Sequence, residues 1–139
     1  MRQTEDGQIT LLVIGFAVTL LALVAVVVDA SQVVLLRRSL SSLADGAALT
    51  AAQSLAEGAL YSGQVADSLP LDPAGARSAV SAYLSQAGAD VVLVDVTVAD
   101  DTVSVALAAR ADLPLIGTVT EAFQGTTVTA RATARSPIG

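Results

Sequence analysis

The chain has 139 residues and a formal net charge of −6, room for one domain plus an anchor. It has no Cys and no His, and its seven basic residues are all Arg, so no disulfide framework, ordinary zinc site, thiol nucleophile or Ser-His-Asp triad can be assembled from it alone. The Arg are scattered, leaving no basic stripe to displace counterions from phosphates, and aromatics at 3% are too few for base stacking, which excludes nucleic acid as an expected partner.

Residues 1–8 form a short polar N-terminal segment with Arg2 set against Glu5 and Asp6. Ile9 to Val28 follows without a single charge. As a helix that run is about 30 Å long, the thickness of a bilayer's hydrocarbon core. A helix apolar on every side must be covered on every side, and the remaining chain is too small to do it. Residues 9–28 therefore read as a transmembrane helix. A secretory signal has a basic start and an apolar core of about 7 to 15 residues, whereas here the flank is acidic and the core longer, which favours a retained anchor. The alternative is cleavage near Val28-Asp29-Ala30, releasing a small secreted binding module that begins at Ser31. For orientation, Arg2 precedes the span and Arg37 and Arg38 follow it, and the positive-inside rule applied to that count places the C-terminal side in the cytoplasm.

Nothing breaks the helix after Val28. Residues 29–57 contain no Pro and one glycine, Gly46, while Val33, Leu36, Leu40, Leu43, Ala47 and Ala51 recur at steps of three and four. A continuous helix over 9–57 would measure about 73 Å. Ala44, Ala48, Ala52 and Ala56 form a ridge of methyl groups that permits close backbone approach. Either the chain's own domain covers that ridge, or a second subunit does, as a homo-oligomer or a mixed assembly.

Residues 58–139 are expected to form a small α+β domain. Gly58, Gly63, Pro70 and Asp72 mark a loop, and Asp72-Pro73-Ala74 reads as an N-cap with Pro at the first helical position. The helix so opened runs to about Gln86 with Ala76, Val80, Tyr83 and Leu84 on one face, and Gly88 ends it. From Val91 the period becomes two: Val92, Val94, Val96 and Val98 share one face of a strand, with Leu93, Asp95 and Thr97 on the other. Asp100-Asp101 makes a turn into a second strand with Val103, Val105, Leu107, Ala109 and Ala111 inward. Leu113 to Gly117 is an apolar loop that closes the domain's end or touches lipid or a neighbour. A third strand, Thr127 to Arg135, turns Val128, Ala130, Ala132 and Ala134 inward. The whole is a long membrane helix extended into a domain with a second helix and a three-stranded antiparallel sheet, pilin-like in outline.

The charged residues suggest contacts rather than catalysis. Asp29 reads either as the mark of where lipid stops or as a charge that pairs with a partner's Arg at the membrane surface. Arg37 and Arg38 suit anionic headgroups or a solvated face, and Asp45 suits a neighbour's Arg or solvent. Asp100-Asp101 lacks the further ligands and spacing of a calcium loop, and the scattered Asp form no acid pair beside a pocket. No cofactor is implied.

The segments DGQITLLVIGF at 6–16 and VVDASQVVLLRRSLSSLADGAALTAAQ at 27–53 resemble the TadE/TadG-like pilus-assembly family of tight-adherence (Flp) pilus systems. The likeness lies in Gly7 before the apolar run, Asp29 at its end, the Arg37-Arg38 pair and the block ADGAALTAA at 44–52, and covers about the first 53 residues. It implies a non-enzymatic, membrane-anchored minor-pilin-like or pilus-assembly protein of a bacterial cell. Its expected partners are membrane lipid and other pilus-assembly or pilin subunits, with the N-terminus cytoplasmic and the domain extracytoplasmic, opposite to the Arg count. The resemblance also marks Gly7-Gln8 as a processing point. Processed prepilins carry Glu five residues after the cut, and Leu12 stands there in this chain, which points to an accessory or minor component.

Overall fold

The computed structural model describes residues 3–61, 73–115 and 126–135. Five elements follow one another: α1 (Gln3–Tyr61), α2 (Pro73–Ala87), β1 (Val92–Ala99), β2 (Thr102–Ala111) and β3 (Thr126–Arg135). The α+β class is as the periodicities indicate. The three strands form one sheet in the order β1-β2-β3. β1 and β2 pair antiparallel. β2 and β3 also run oppositely, since Ser104 of β2 meets Thr133 while Asp101, in the turn just before β2, meets Arg135 at the end of β3.

The chain divides into two compact units. One comprises residues 1–34 and 112–126; the other comprises residues 35–111 and 127–139. α1 contributes to both.

The second unit contains a core of Ala, Val and Leu. From α1 it takes the stripe Leu40, Ala44, Ala47, Ala48, Ala51, Ala52 and Ala56, and from α2 Ala76, Val80 and Leu84. β2 supplies every second residue from Val103 to Ala111, and β3 supplies Val128 and Ala132. Burying side chains this small gains little area per residue, so the core depends on close backbone approach and on the few larger groups, Leu40 and Leu107 among them. Gly46 shows how close the approach is. A Cβ there would lie 2.7 Å from Cζ of Tyr83 and closer still to its hydroxyl oxygen. Glycine lets α1 and the Tyr83 ring of α2 meet. Tyr83 is half-buried at this contact.

Three details differ from the sequence reading. First, α1 does not stop at Glu57 but continues through Gly58 to Tyr61. A single helical Gly costs only about 1 kcal/mol relative to Ala, too little to end a helix alone. Second, β1 does not alternate strictly. Its register against β2 shifts between Leu93, opposite Leu107, and Asp95, opposite Ala106. The extra residue of this bulge moves Leu93 to the side of Val96 and Val98, whose partners Val105 and Val103 are buried, and leaves Val92 and Val94 66% and 53% exposed. Third, Tyr83 is not buried with Ala76, Val80 and Leu84 but lies at the edge of that face.

The local signals at the ends of the elements are visible. Gly88 has φ +61 and donates its N–H to the Ser85 carbonyl, ending α2 in a left-handed cap. Asp100 takes φ 54 in the β1–β2 turn, where Ala99 pairs with Thr102. Asp visits that region more readily than bulkier residues. The N-cap expected at Asp72 and the loop glycine and proline at Gly63 and Pro70 lie outside the described residues, as do Ile116 and Gly117.

Candidate functional site

In the first unit the apolar run lies on the surface, with Ala25 alone half-buried among its residues. Ile9, Leu12, Phe16, Leu21 and Val24 are between 59% and 73% exposed, and no part of the most apolar stretch is buried inside the chain. Water would not tolerate such a surface, whereas lipid would cover it at no cost in backbone hydrogen bonds, because a helix satisfies those internally. The polar side chains within the run are accommodated in the same way. Thr19 donates its hydroxyl to the Gly15 carbonyl and Ser31 to that of Val27, both at 2.8 Å. Each bond spans four residues along the helix and removes a lone donor from an apolar setting.

Asp29 immediately follows the run and is nearly inaccessible, at 2% exposure. Its Oδ1 accepts the backbone N–H of Leu115 at 3.3 Å, tying the connection after β2 to α1. This bond joins residues 86 apart in sequence, within one compact unit. Asp29 is thus an internal acceptor in this chain. Gly7 and Gln8 lie inside α1.

The remaining candidates fall in the second unit. Ala44, Ala48, Ala52 and Ala56 are buried by this chain itself, at 0% to 8% exposure. Arg37, Arg38 and Asp45 are exposed. No ion pair joins them to one another among the described residues; the pair present there is Arg135 Nε with Asp101 Oδ2, 3.3 Å apart. That pair is largely open to water and contributes little to stability.

The outward face of the sheet was not singled out from sequence. Asp95, Thr97, Ser104, Ala106 and Arg131 line a shallow depression of about 290 Å³ there. Thr97 donates its hydroxyl to Asp95 Oδ2 at 2.9 Å, and Ser104 and Thr133 hydroxyls meet at 3.3 Å. These are cross-strand and local pairs of a solvated sheet face. Among the described residues no three carboxylates gather in a way that could hold a metal ion.

Comparison with known families bears on the helix. The Tad family, Flp pilus-assembly TadE/G-like, matches residues 7–54. The matched stretch holds the exposed apolar run, Asp29, Arg37-Arg38 and the alanine ridge, the same features that carry the resemblance read in the sequence. No curated protein and no solved structure matches the chain. One apolar N-terminal helix and a match to a pilus-assembly family together fit a single-pass membrane protein with a pilus-related role.

Proposed function

We propose that the chain is a minor-pilin-like or accessory assembly component of a tight-adherence pilus, working by helix packing and protein contacts and not by catalysis. Residues 9–28 anchor it in the cell membrane, residues 29–57 carry the helix out of the bilayer, and residues 58–139 present the α+β domain on the extracytoplasmic side. Other pilus subunits are its partners. Arg37, Arg38 and Asp45, exposed on the emerging helix, are the residues offered to them, and Leu12 in place of an acidic residue after Gly7-Gln8 favours an unprocessed chain.

The observation that carries this reading is the coincidence of the family match at 7–54 with the exposed apolar helix. Neither alone would suffice, because a signal sequence is also apolar and a short family match leaves the rest of the chain open. The test is deletion of the gene in cells that build a tight-adherence pilus, followed by quantification of sheared surface filaments. Loss of filaments, restored by the full chain but not by an Arg37→Glu, Arg38→Glu double variant that still inserts in the membrane, is the expected result. Normal filament yield in the deletion strain would contradict the proposal.

A further inference from the structure

We infer that the segment Leu113 to Leu115 is a second contact with lipid, held at the edge of the bilayer by the Asp29 carboxylate. The inference rests on the reading of residues 9–28 as a membrane span and adds to it a part of the chain more than eighty residues away.

Asp29 is the first residue after the apolar run, so its level on α1 is the level at which hydrocarbon gives way to headgroups. The hydrogen bond from Leu115 N–H to Asp29 Oδ1 sets the Leu115 backbone at that same level. What the bond brings there is apolar. Leu115 is 42% exposed, Pro114 is exposed and Leu113 is half-buried. Leu115 is thereby set beside the end of the exposed apolar run, where Val26 and Val28, the closing valines nearest in angle to Asp29 on the helix, are 52% and 38% exposed.

The charge is arranged to match. A carboxylate facing lipid would be penalised, but Asp29 is 2% exposed and turned to an internal donor, so the bilayer edge meets the leucines and not the acid. A connection lying in the interface needs its backbone N–H groups satisfied, and Asp29 supplies an acceptor for Leu115. Continuity with the apolar span identifies lipid as the occupant in preference to a protein partner. Asp29 is then a positioning residue, and Leu115 makes the contact.

The chain contains no Trp, so a single introduced Trp is an unambiguous reporter. The full chain is reconstituted in phosphatidylcholine vesicles with or without bromine on the acyl chains, carrying Leu115→Trp, Val18→Trp within the span, or Tyr61→Trp at an exposed position of α1. Quenching of the Trp at 115 by brominated lipid, as at 18 and unlike at 61, is expected. Adding Asp29→Ala should abolish quenching at 115 and leave it intact at 18, while Asp29→Asn, which keeps an acceptor oxygen, should preserve both. Quenching at 18 but not at 115 overturns the inference and leaves the span reading standing. A blue-shifted but unquenched Trp at 115 also overturns it, in favour of a protein contact. Absence of quenching at 18 removes the span itself and the inference with it. Unchanged quenching at 115 in the Asp29→Ala chain overturns the role given to Asp29.

Discussion

Gly46 and Tyr83 set the distance between α1 and α2 in the core. Gly46→Ala would ordinarily strengthen an exposed helix by about 0.5–1 kcal/mol. Here the new methyl meets the phenol end of Tyr83, and crowding of this kind costs about 1–3 kcal/mol. Gly46→Ala should therefore destabilise the chain, whereas the same change made in a Tyr83→Ala background should stabilise it. Denaturation midpoints for the four chains of this double-mutant cycle measure the reversal, and a Gly46→Ala chain that gains stability with Tyr83 present would refute the contact. Asp100, at φ 54, is the other position where backbone conformation restricts the side chain. Asp100→Val should lose about 1–2 kcal/mol by forcing a β-branched residue into the left-handed region, and Asp100→Gly should be tolerated. At this scale the sequence was partly legible. Asp100-Asp101 stands out as a turn because its residue types say so. Gly46 stands out only as a lone helical glycine, and nothing local names Tyr83 as its neighbour. Likewise Asp29 is marked by being the first charge after an apolar run, but its donor is a backbone N–H 86 residues away, which no period or spacing encodes.

The strands show how far alternation carries and where it fails. β2 and β3 keep strict inward and outward faces. The pattern of β3 is readable because Thr and Arg separate its apolar residues, while in β2 Thr102, Ser104 and Arg110 fix the phase at both ends and small Ala106 and Ala108 hold the outward positions between them. In β1 the run Val92-Leu93-Val94 is apolar at every position, so either set of faces is consistent with it. The bulge decides, and a bulge is a property of the pairing with β2, not of β1 alone. The expected consequence is asymmetric. Deleting Val94 leaves Leu93, Val96 and Val98 on the buried side of a strand that now alternates without interruption, and should cost less than Leu107→Ala. The latter empties a fully buried site at the centre of the sheet, at about 2–5 kcal/mol. Comparing the two chains by urea denaturation tests the register directly: a Val94 deletion as damaging as Leu107→Ala would mean that Val94 itself is packed. The helices were legible in outline for a simpler reason, since periods of three and four persist over many residues, while the end of α1 was not, because one Gly is too weak a stop signal.

For the whole molecule, the consequential division is between an apolar helix surface that has no cover among the described residues and a small alanine-rich domain that covers its own. The first calls for lipid. Val18→Arg, at the middle of the run and 60% exposed, should impair membrane insertion by about 2.5–3.5 kcal/mol, read as the fraction resisting alkaline carbonate extraction. The same substitution should leave the fraction unchanged if the helix were merely peripheral. That the chain has a helix long and apolar enough to cross a membrane, and an α+β layout, could be read from hydropathy and period. Its pilus association came from specific residues around the run, found again in the family match at 7–54. The mutual fit of segments distant in sequence could not be read in either way. The most direct test of the account is the intact mass of the chain from separated membrane and extracellular fractions of cells that express it at native level. The account predicts a full-length chain in the membrane fraction. A chain beginning at Ser31 in the medium would contradict it, because the helix taken here as a permanent anchor would then have been a signal removed on export.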